Sequence, residues 1–202
     1  AAAYCSLIPA LAYRLAASFS PGPITFILPK NNRIPDLVSS GQPTVGIRIP
    51  NHVVALSLLE AFHNLGGRGV AAPSANRFGH VSPTTAQAVS DELSEYLKAE
   101  DQILDGGACA VGVESTIIDC TGSAPRILRP GAITNEMIEA VTGVKVENRD
   151  DVIRVSGSLE NHYAPKATVV LDTEPQPGNG YIAMSDKKTP SGVIRLAAPE
   201  TI

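Results

Sequence analysis

Glycine and proline divide this chain into short apolar segments. The 17 glycines and 16 prolines among its 202 residues gather in brief runs, such as Pro21-Gly22-Pro23, Gly66-Gly67 and Gly106-Gly107. Proline fixes φ and removes a backbone donor, whereas glycine permits backbone conformations that other residues avoid, so such runs mark turns and loops of specified shape. The apolar segments between them are therefore short strands and helices, and shaped loops make up much of the protein.

The spacing of apolar residues predicts a mixture of helices and strands. Helices are predicted over residues 9–19, 53–65, 82–98 and 134–141. Strands are predicted over residues 24–28, 44–49, 69–72, 102–104, 115–119 and 126–128, and, after a polar stretch at 144–159, over 167–171, 181–184 and 192–196. Ser82 is placed to cap the third helix, with Pro83 at its first position. This mixture indicates an α/β or α+β fold.

Composition excludes several classes of protein. Hydrophobic residues make up 44% of the chain and charged residues 18%, which supports a packed core and argues against disorder. No window approaches the roughly 18 consecutive apolar residues of a membrane span. A net charge of −4 argues against nucleic-acid binding through bulk charge and leaves a local basic face open. Three cysteines without CxxC spacing indicate free buried thiols in a reducing cytosol, and the scattered histidines predict no metal site.

The segment 72–84 contains the clearest candidate for a ligand site. It places Ser74, Asn76 and Ser82 in a glycine-containing loop between a predicted strand and a predicted helix. Free backbone N–H groups and the helix dipole make a helix N-terminus suitable for an anion such as phosphate. A plain turn followed by an N-cap explains the same residues equally well.

Three further segments could contact a ligand. The glycines of residues 104–107 and 112–116 allow close approach of the backbone, with Ser115 at the start of a strand, although a turn between core strands fits as well. Arg129 precedes a Pro-Gly turn and can bind a phosphate or carboxylate, or be solvated. Thr44 and Arg48 share one face of a strand, which could also be an exposed edge. No nucleophile–base arrangement is evident, so these loops suit binding and orienting a polyanionic ligand.

These segments together resemble the Sua5/YrdC/YwlC family of threonylcarbamoyl-AMP synthases. The resemblance rests on Pro-Gly-Pro-Ile-Thr at 21–25, Val-Gly-Ile-Arg-Ile-Pro at 45–50, Ala-Pro-Ser-Ala-Asn at 72–76 with Ser-Pro-Thr at 82–84, and residues 112–119 and 128–133. Residues 154–165 resemble the linker of the longer Sua5 form. The family implies a YrdC-like twisted mixed sheet with flanking helices over residues 1–148, a linker over 149–166, and the start of a small α/β Sua5 domain over 167–202.

The resemblance also implies a reaction. Family members form threonylcarbamoyl-AMP and pyrophosphate from L-threonine, bicarbonate and ATP, with Mg²⁺ accompanying the nucleotide. Partner proteins then transfer the threonylcarbamoyl group to adenosine 37 of tRNA, and the location implied is cytoplasmic. By motif position, ATP would be contacted by Thr44, Ser74, Ser82, Arg129 and Tyr163, and L-threonine by Arg48, Ala72 and Ser115. Asn76 is a further candidate contact, and no protein group acts as a catalytic nucleophile or metal ligand.

Two other functions remain open at this point. One is a YrdC-type module that binds tRNA or double-stranded RNA without catalysis, against which the acidic balance and the threonine-site residues Arg48 and Ser115 argue. The other is the carbamoyl-adenylate branch of hydrogenase maturation, against which the Sua5-like linker argues.

Family members also carry an N-terminal Pro-Thr-x-Thr-x-Tyr-Gly strand and a Lys-x-Arg pair that contacts the phosphates. Neither occurs here, so we expect a chain that begins partway through the first domain and ends partway through the second.

Overall fold

The chain forms two compact units, Ala1–Ala164 and Pro165–Ile202. The structure, a computed structural model, describes residues 2–147, 153, 155 and 167–200. The first unit contains helices α1 (Ala10–Phe19), α2 (Asp36–Ser39), α3 (Val53–Asn64), α4 (Ala86–Leu93) and α5 (Asn135–Thr142), and strands β1 (Ile24–Pro29), β2 (Thr44–Ile47), β3 (Thr116–Asp119) and β4 (Arg126–Arg129). The second contains β5 (Gly180–Ile182) and β6 (Ile194–Ala197), which pair in parallel.

The first unit is built on a four-stranded mixed sheet. Its strand order is β2-β1-β3-β4. The central strands β1 and β3 run parallel to each other, and each pairs antiparallel with its outer neighbour, β2 or β4. The central strands are the most buried because both of their faces are covered, as in other parallel pairs. Together with the flanking helices, this sheet confirms the predicted α/β fold.

Helices α1 and α5 cover the central strands and complete the core. Leu11, Ala12 and Leu15 lie on one face of α1, and all three are buried, as the helical spacing of apolar residues predicts. The remaining buried core residues come from the N-terminal segment, β1, β3 and its end, and the α5 region: Cys5, Ile24, Phe26, Leu28, Ile118, Cys120, Ile133 and Ile138. Thr134 caps α5 and Gly143 ends it in the left-handed conformation.

A tight turn at Gly22 joins α1 to β1. A Cβ atom on Gly22 would lie 2.2 Å from the carbonyl oxygen of Phe19, so a side chain cannot be accommodated there. The Gly22 N–H donates to the carbonyl oxygen of Ile49 at 2.9 Å, which brings the segment after β2 against the start of β1. The Pro-Gly-Pro run thus forms the turn that the sequence predicts.

Three predicted strands are wrong. Residues 69–72, 102–104 and 167–171 are irregular in the structure, although each is a short apolar run. Strand conformation is stable only when a neighbouring strand takes up its backbone hydrogen bonds, and no described strand pairs with these three segments.

The predicted start of the third helix is also wrong. Helix α4 begins at Ala86, and its N-cap is Thr85, whose Oγ1 accepts from the N–H of Ala88 at 3.1 Å. Ser82 lies before the helix and contacts other side chains instead. The Ser82 hydroxyl, which the sequence assigns to capping, is therefore available to hydrogen-bond with a distant residue.

The three cysteines are free thiols. Cys5 and Cys120 are buried as predicted, whereas Cys109 is exposed, which corrects the expectation for that residue. Burial, and next the charge of Asp119, raise the pKa of Cys120 to about 12. None of the helices in the described ranges has the length and apolar character of a membrane crossing.

The proposed division at residues 148 and 166 stays a prediction. The segment 149–166 lies outside the described residues except for residues 153 and 155.

Candidate functional site

The sheet topology gathers the candidate residues at one edge. The amino ends of the parallel strands β1 and β3 lie at this edge, and so do the carboxyl ends of β2 and β4, because both outer strands are antiparallel to their neighbours. Ser115 immediately precedes β3, Arg129 ends β4 and Arg48 follows β2. Residues far apart in the sequence therefore converge without any special loop conformation.

Two hydroxyls meet at the amino ends of the central strands. Thr25 Oγ1 and Ser115 Oγ are 2.8 Å apart and form a hydrogen bond. Ser115 is buried and Thr25 is half-buried. This contact agrees with the register: β1 pairs Thr25 with Ile117, and Ser115, two residues before Ile117, is a diagonal neighbour of Thr25 on the same face.

Arg129 is held against Ser115 by three hydrogen bonds. Its Nε and Nη2 donate to the Ser115 carbonyl oxygen at 3.1 and 2.8 Å, and Nη2 also donates to Ser115 Oγ at 3.0 Å. The planar guanidinium is thereby fixed along one edge. Its side chain is 11% exposed and is therefore largely shielded from water.

Glu114 links Arg129 to the loop between α3 and α4, residues 65–85. Its Oε2 accepts from Arg129 Nη1 in a short ion pair, and its Oε1 accepts from Ser82 Oγ at 2.7 Å. Ser82 Oγ also lies 3.4 Å from Asn76 Oδ1, and because a hydroxyl has one proton, the shorter contact to Glu114 takes it. Asn76 in turn donates from Nδ2 to the carbonyl oxygens of Arg77 and His80 at 2.8 and 3.0 Å. We call this group the site network, in which Asn76 joins through its 3.4 Å contact with Ser82 and the other members through hydrogen bonds: Thr25, Asn76, Ser82, Glu114, Ser115 and Arg129.

A second guanidinium lies near this network. Arg48 Nε donates to the Gly22 carbonyl oxygen at 3.2 Å; the residue is exposed as a whole, but this hydrogen bond is partly buried. Desolvation, and next the charge of Arg129, lower the pKa of Arg48. Two neighbouring guanidinium groups repel each other, and an anion between them would relieve that repulsion.

The 65–85 loop is also fastened to α4. The Arg77 backbone N–H and Nε donate to Glu92 Oε1 at 3.1 and 2.9 Å, and His80 Nδ1 lies 2.9 Å from the same oxygen. Hydrogen bonds from Arg77 lower the pKa of Glu92 to about 2. These contacts define the position of the loop that carries Asn76 and Ser82.

The structure brings some of the sequence-predicted residues together and leaves others apart. Asn76, Ser82, Ser115 and Arg129 share the site network, and Arg48 lies close to it. Thr44 begins β2 opposite Pro29, whereas Ala72 and Ser74 are exposed in the 65–85 loop. Among the described residues, no hydrogen bond joins Thr44, Ala72 or Ser74 to the network. Tyr163 lies outside the described residues.

Two members of the network were missed as site residues. Thr25 and Glu114 fall inside segments that the sequence singles out, at 21–25 and 112–116, but neither was assigned a contact. Glu114 carries a signal, because a carboxylate next to a serine in a glycine-containing segment needs a cationic partner if it is buried. Identifying Arg129 as that partner requires the pairing of β3 with β4.

An open depression of about 460 Å³ lies at the opposite end of β1. Lys30 lines it, but its ammonium group already donates to Asp36 Oδ1 at 2.6 Å and to Ser39 Oγ at 2.8 Å. These partners occupy the cation. Arg129 at the network edge is paired as well, but Arg48 lies beside it and hydrogen-bonds within the described residues through Nε, so this edge is the better candidate for a charged ligand. There, hydroxyl groups and two guanidinium groups can bind and orient an anion.

Comparison with known families matches nearly the whole chain. Residues 1–131 match the family model of Sua5, YciO and YrdC proteins, described as "Telomere recombination". Residues 133–201 match a model described as "Threonylcarbamoyl-AMP synthase, C-terminal domain".

Curated relatives include threonylcarbamoyl-AMP synthases from archaea and bacteria. The chain is 41% identical over 175 residues to the enzyme of Pyrococcus abyssi (strain GE5 / Orsay), covering 84% of this chain and 49% of that protein. It is 39% identical over 169 residues to the enzyme of Bacillus subtilis (strain 168), covering 81% and 47%. The chain therefore spans about half the length of these relatives.

Solved structures show the same relationship. The crystal structure of P. abyssi Sua5 complexed with L-threonine superposes with a TM-score of 0.72 at 39% identity, covering 81% of this chain and 48% of that one. The crystal structure of E. coli YciO superposes with a TM-score of 0.55 at 26% identity, covering 65% and 60%.

Proposed function

Because the chain belongs to the Sua5/YciO/YrdC family, we propose that it provides the substrate site of a threonylcarbamoyl-AMP synthase. The proposed reaction forms threonylcarbamoyl-AMP and pyrophosphate from L-threonine, bicarbonate and ATP. Relatives named for this activity at 41% and 39% identity support the proposal, as does a related structure that was solved with L-threonine. The observation that carries it is the site network, in which Ser82, Ser115 and Arg129 converge beside Arg48.

The proposal divides the site into two parts. Arg48 and Ser115, with Ala72, would hold L-threonine, and the guanidinium of Arg48 suits the carboxylate of an amino acid. ATP would be contacted by Thr44, Ser74, Ser82, Arg129 and Tyr163, with Asn76 as a further contact. Ser115 and Arg129 are hydrogen-bonded to each other, so the two subsites adjoin. Adjacent subsites are what a reaction between the carbamate of threonine and the α-phosphate of ATP requires.

The chemistry needs no protein nucleophile. The threonine amine adds to the carbon of bicarbonate and water leaves, which gives a carbamate. A carbamate oxygen then attacks the α-phosphorus of ATP, the bond to the bridging oxygen breaks, and pyrophosphate leaves with its electron pair. The residues of this chain would bind both reactants, hold them in line and stabilise the negative charge on the phosphates.

Magnesium would arrive with the nucleotide. Among the described residues, no group of three His, Cys, Asp or Glu side chains is placed to hold a metal ion. Mg²⁺ is commonly bound by substrate phosphates, water and one or two carboxylates, so the residues fit an ion that is carried mainly by ATP. Its positive charge would neutralise part of the triphosphate.

The proposal extends to the surroundings of the reaction. Threonylcarbamoyl-AMP would pass to tRNA-modification proteins that act on adenosine 37, in the cytoplasm, where tRNA, threonine and ATP are available. We also propose that residues 1–148 belong to the catalytic domain, that 149–166 form a linker, and that 167–202 belong to a second domain.

Pyrophosphate release tests the function. We expect the chain to release pyrophosphate from ATP when L-threonine and bicarbonate are both present, and to stop when either is omitted. Arg48→Ala should raise the KM for threonine by at least tenfold, because an arginine–carboxylate contact is lost. Arg14→Ala, which removes an exposed arginine from α1, is the matched control and should leave the KM unchanged. Absence of release with all three substrates would refute the proposal.

A further inference from the structure

Glu114 lies between two residues of the proposed ATP site. It pairs with Arg129 through Oε2 and with Ser82 through Oε1, at 2.7 Å in the second case. Its side chain is only 17% exposed. A carboxylate in this place is unexpected, because it lies next to groups that would bind the phosphates of ATP and would repel them.

Both contacts restrict groups that would otherwise move. Arg129 is bound to Ser115 along one edge of its guanidinium and to Glu114 at Nη1, so the plane of the guanidinium cannot rotate. Ser82 belongs to the 65–85 loop, and its bond to Glu114 joins that loop to the edge of the sheet across 32 positions of sequence. Glu114 thus fixes the positions of Arg129 and Ser82, the two proposed phosphate contacts, relative to each other.

We propose that Glu114 is a positioning residue of the ATP site, which holds Arg129 and the loop of Ser82 in place for the nucleotide phosphates. The proposal rests on the proposed function only in that it needs an ATP site. Glu114 itself does not contact the nucleotide. Its benefit is that two groups on separate elements are already placed when ATP arrives, so binding does not have to order them.

The direction in which Glu114→Gln changes the affinity for ATP distinguishes two roles of the carboxylate. If Glu114 only occupies the site until an anion displaces it, Glu114→Gln removes a repulsive charge and tightens ATP binding. If Glu114 positions its partners, the same substitution weakens ATP binding, because glutamine has no charge to pair with Arg129 and turns an NH₂ group, in place of an acceptor oxygen, toward one of the two donors.

Calorimetric titration of the chain with ATP measures the affinity of the wild type and of each variant, and so the direction of the change. We expect Glu114→Gln to weaken ATP binding by about tenfold, the usual consequence of losing a hydrogen bond to a charged group. The matched control is Glu139→Gln on α5, which removes the same charge from an ion pair with Lys145 and should leave the affinity for ATP unchanged. Circular dichroism establishes that each variant is folded. If Glu114→Gln is unfolded, Glu114→Asp, which is one methylene shorter, takes its place and should also bind ATP more weakly.

A double-mutant cycle with Ser82→Ala separates positioning from general stability. In the Ser82→Ala background, Glu114→Gln should weaken ATP binding less than in the wild type, because part of its effect acts through Ser82. Unchanged or tighter binding by Glu114→Gln, or fully additive losses, would overturn the inference. A wild-type chain that binds ATP but releases no pyrophosphate would refute the proposed function alone. A wild-type chain that does not bind ATP would refute both.

Discussion

Replacing Gly131 by alanine should destabilise the first unit strongly. A Cβ atom on Gly131 would lie 2.5 Å from the backbone nitrogen of Thr116, 2.6 Å from the carbonyl oxygen of Glu114 and 2.8 Å from Thr116 Oγ1. Two of these neighbours are backbone atoms at the amino end of β3, which cannot turn away as a side chain could. The substitution must therefore displace either the segment after β4 or the start of β3.

Gly122→Ala provides a matched comparison. Gly122 lies in the turn between β3 and β4, and the nearest atom to its added Cβ is the Ala124 carbonyl oxygen, at an ordinary 3.7 Å. Both substitutions reduce the conformational freedom of the unfolded chain to the same extent, so that contribution cancels between them. The difference in unfolding free energy then reports the steric overlap at Gly131, which we expect to cost about 3 kcal/mol, the upper part of the range for overpacking.

Urea unfolding followed by far-ultraviolet circular dichroism measures both variants. For a chain of this size, 3 kcal/mol corresponds to a melting temperature lower by roughly 6–12 °C. Gly131→Ala should lower the midpoint without changing the m-value, and Gly122→Ala should stay within about 0.5 kcal/mol of the wild type. A difference below about 1 kcal/mol between the two variants would refute the steric argument.

Three further predictions concern single side chains. Thr116→Val should lower the free energy of unfolding by about 1–3 kcal/mol, because the buried Thr116 Oγ1 donates to the Ile133 carbonyl oxygen at 2.9 Å and accepts from the Ile133 N–H at 3.0 Å. Urea unfolding measures this loss, and Thr116→Ser, which keeps the hydroxyl, should be much milder. Thr134→Ala removes the N-cap of α5 and should cost about 1 kcal/mol by the same measurement, with Thr134→Ser close to the wild type. In NMR titrations the carboxyl of Glu92 should show a pKa of about 2, below its ordinary 4.5, and Arg77→Ala should raise it. Because this pKa is lowered in the folded state, the contribution of Glu92 to stability is full above pH 4.5 and is lost as the pH falls toward 2, and an ordinary pKa in the wild type would contradict the contact.

The sequence predicts well the elements whose stability is largely local. Helices α1, α3 and α5 appear within about one residue of their expected bounds, because apolar spacing marks the face that a helix buries. The sequence also predicts strands β1, β3 and β4, and β1 and β3 are among the most buried of the described segments. The site edge follows from the order of these strands once their pairing is known.

The rest could not be predicted because it depends on distant partners. Residues 69–72 and 102–104 have the composition of strands, but composition does not reveal whether a neighbouring strand is available. Ser82 has the sequence context of an N-cap, yet its hydroxyl donates to a carboxylate 32 positions away, and Thr85 caps the helix instead. For the same reason the role of Glu114 is visible only after β3 and β4 have paired.

The parallel pairing of β1 with β3 determines when the site can form during synthesis. Thr25 and Ser115 are 90 positions apart, so their hydrogen bond closes a long loop of chain. Closing such a loop costs entropy before any contact compensates it, and pairings of this kind slow folding. A growing chain in which only β1 and β2 have been synthesised has no site, because β3 and β4, beside which Ser115 and Arg129 lie, are still missing. The core and the site network can therefore be completed only late, once α5 and its core residue Ile138 have left the ribosome as well.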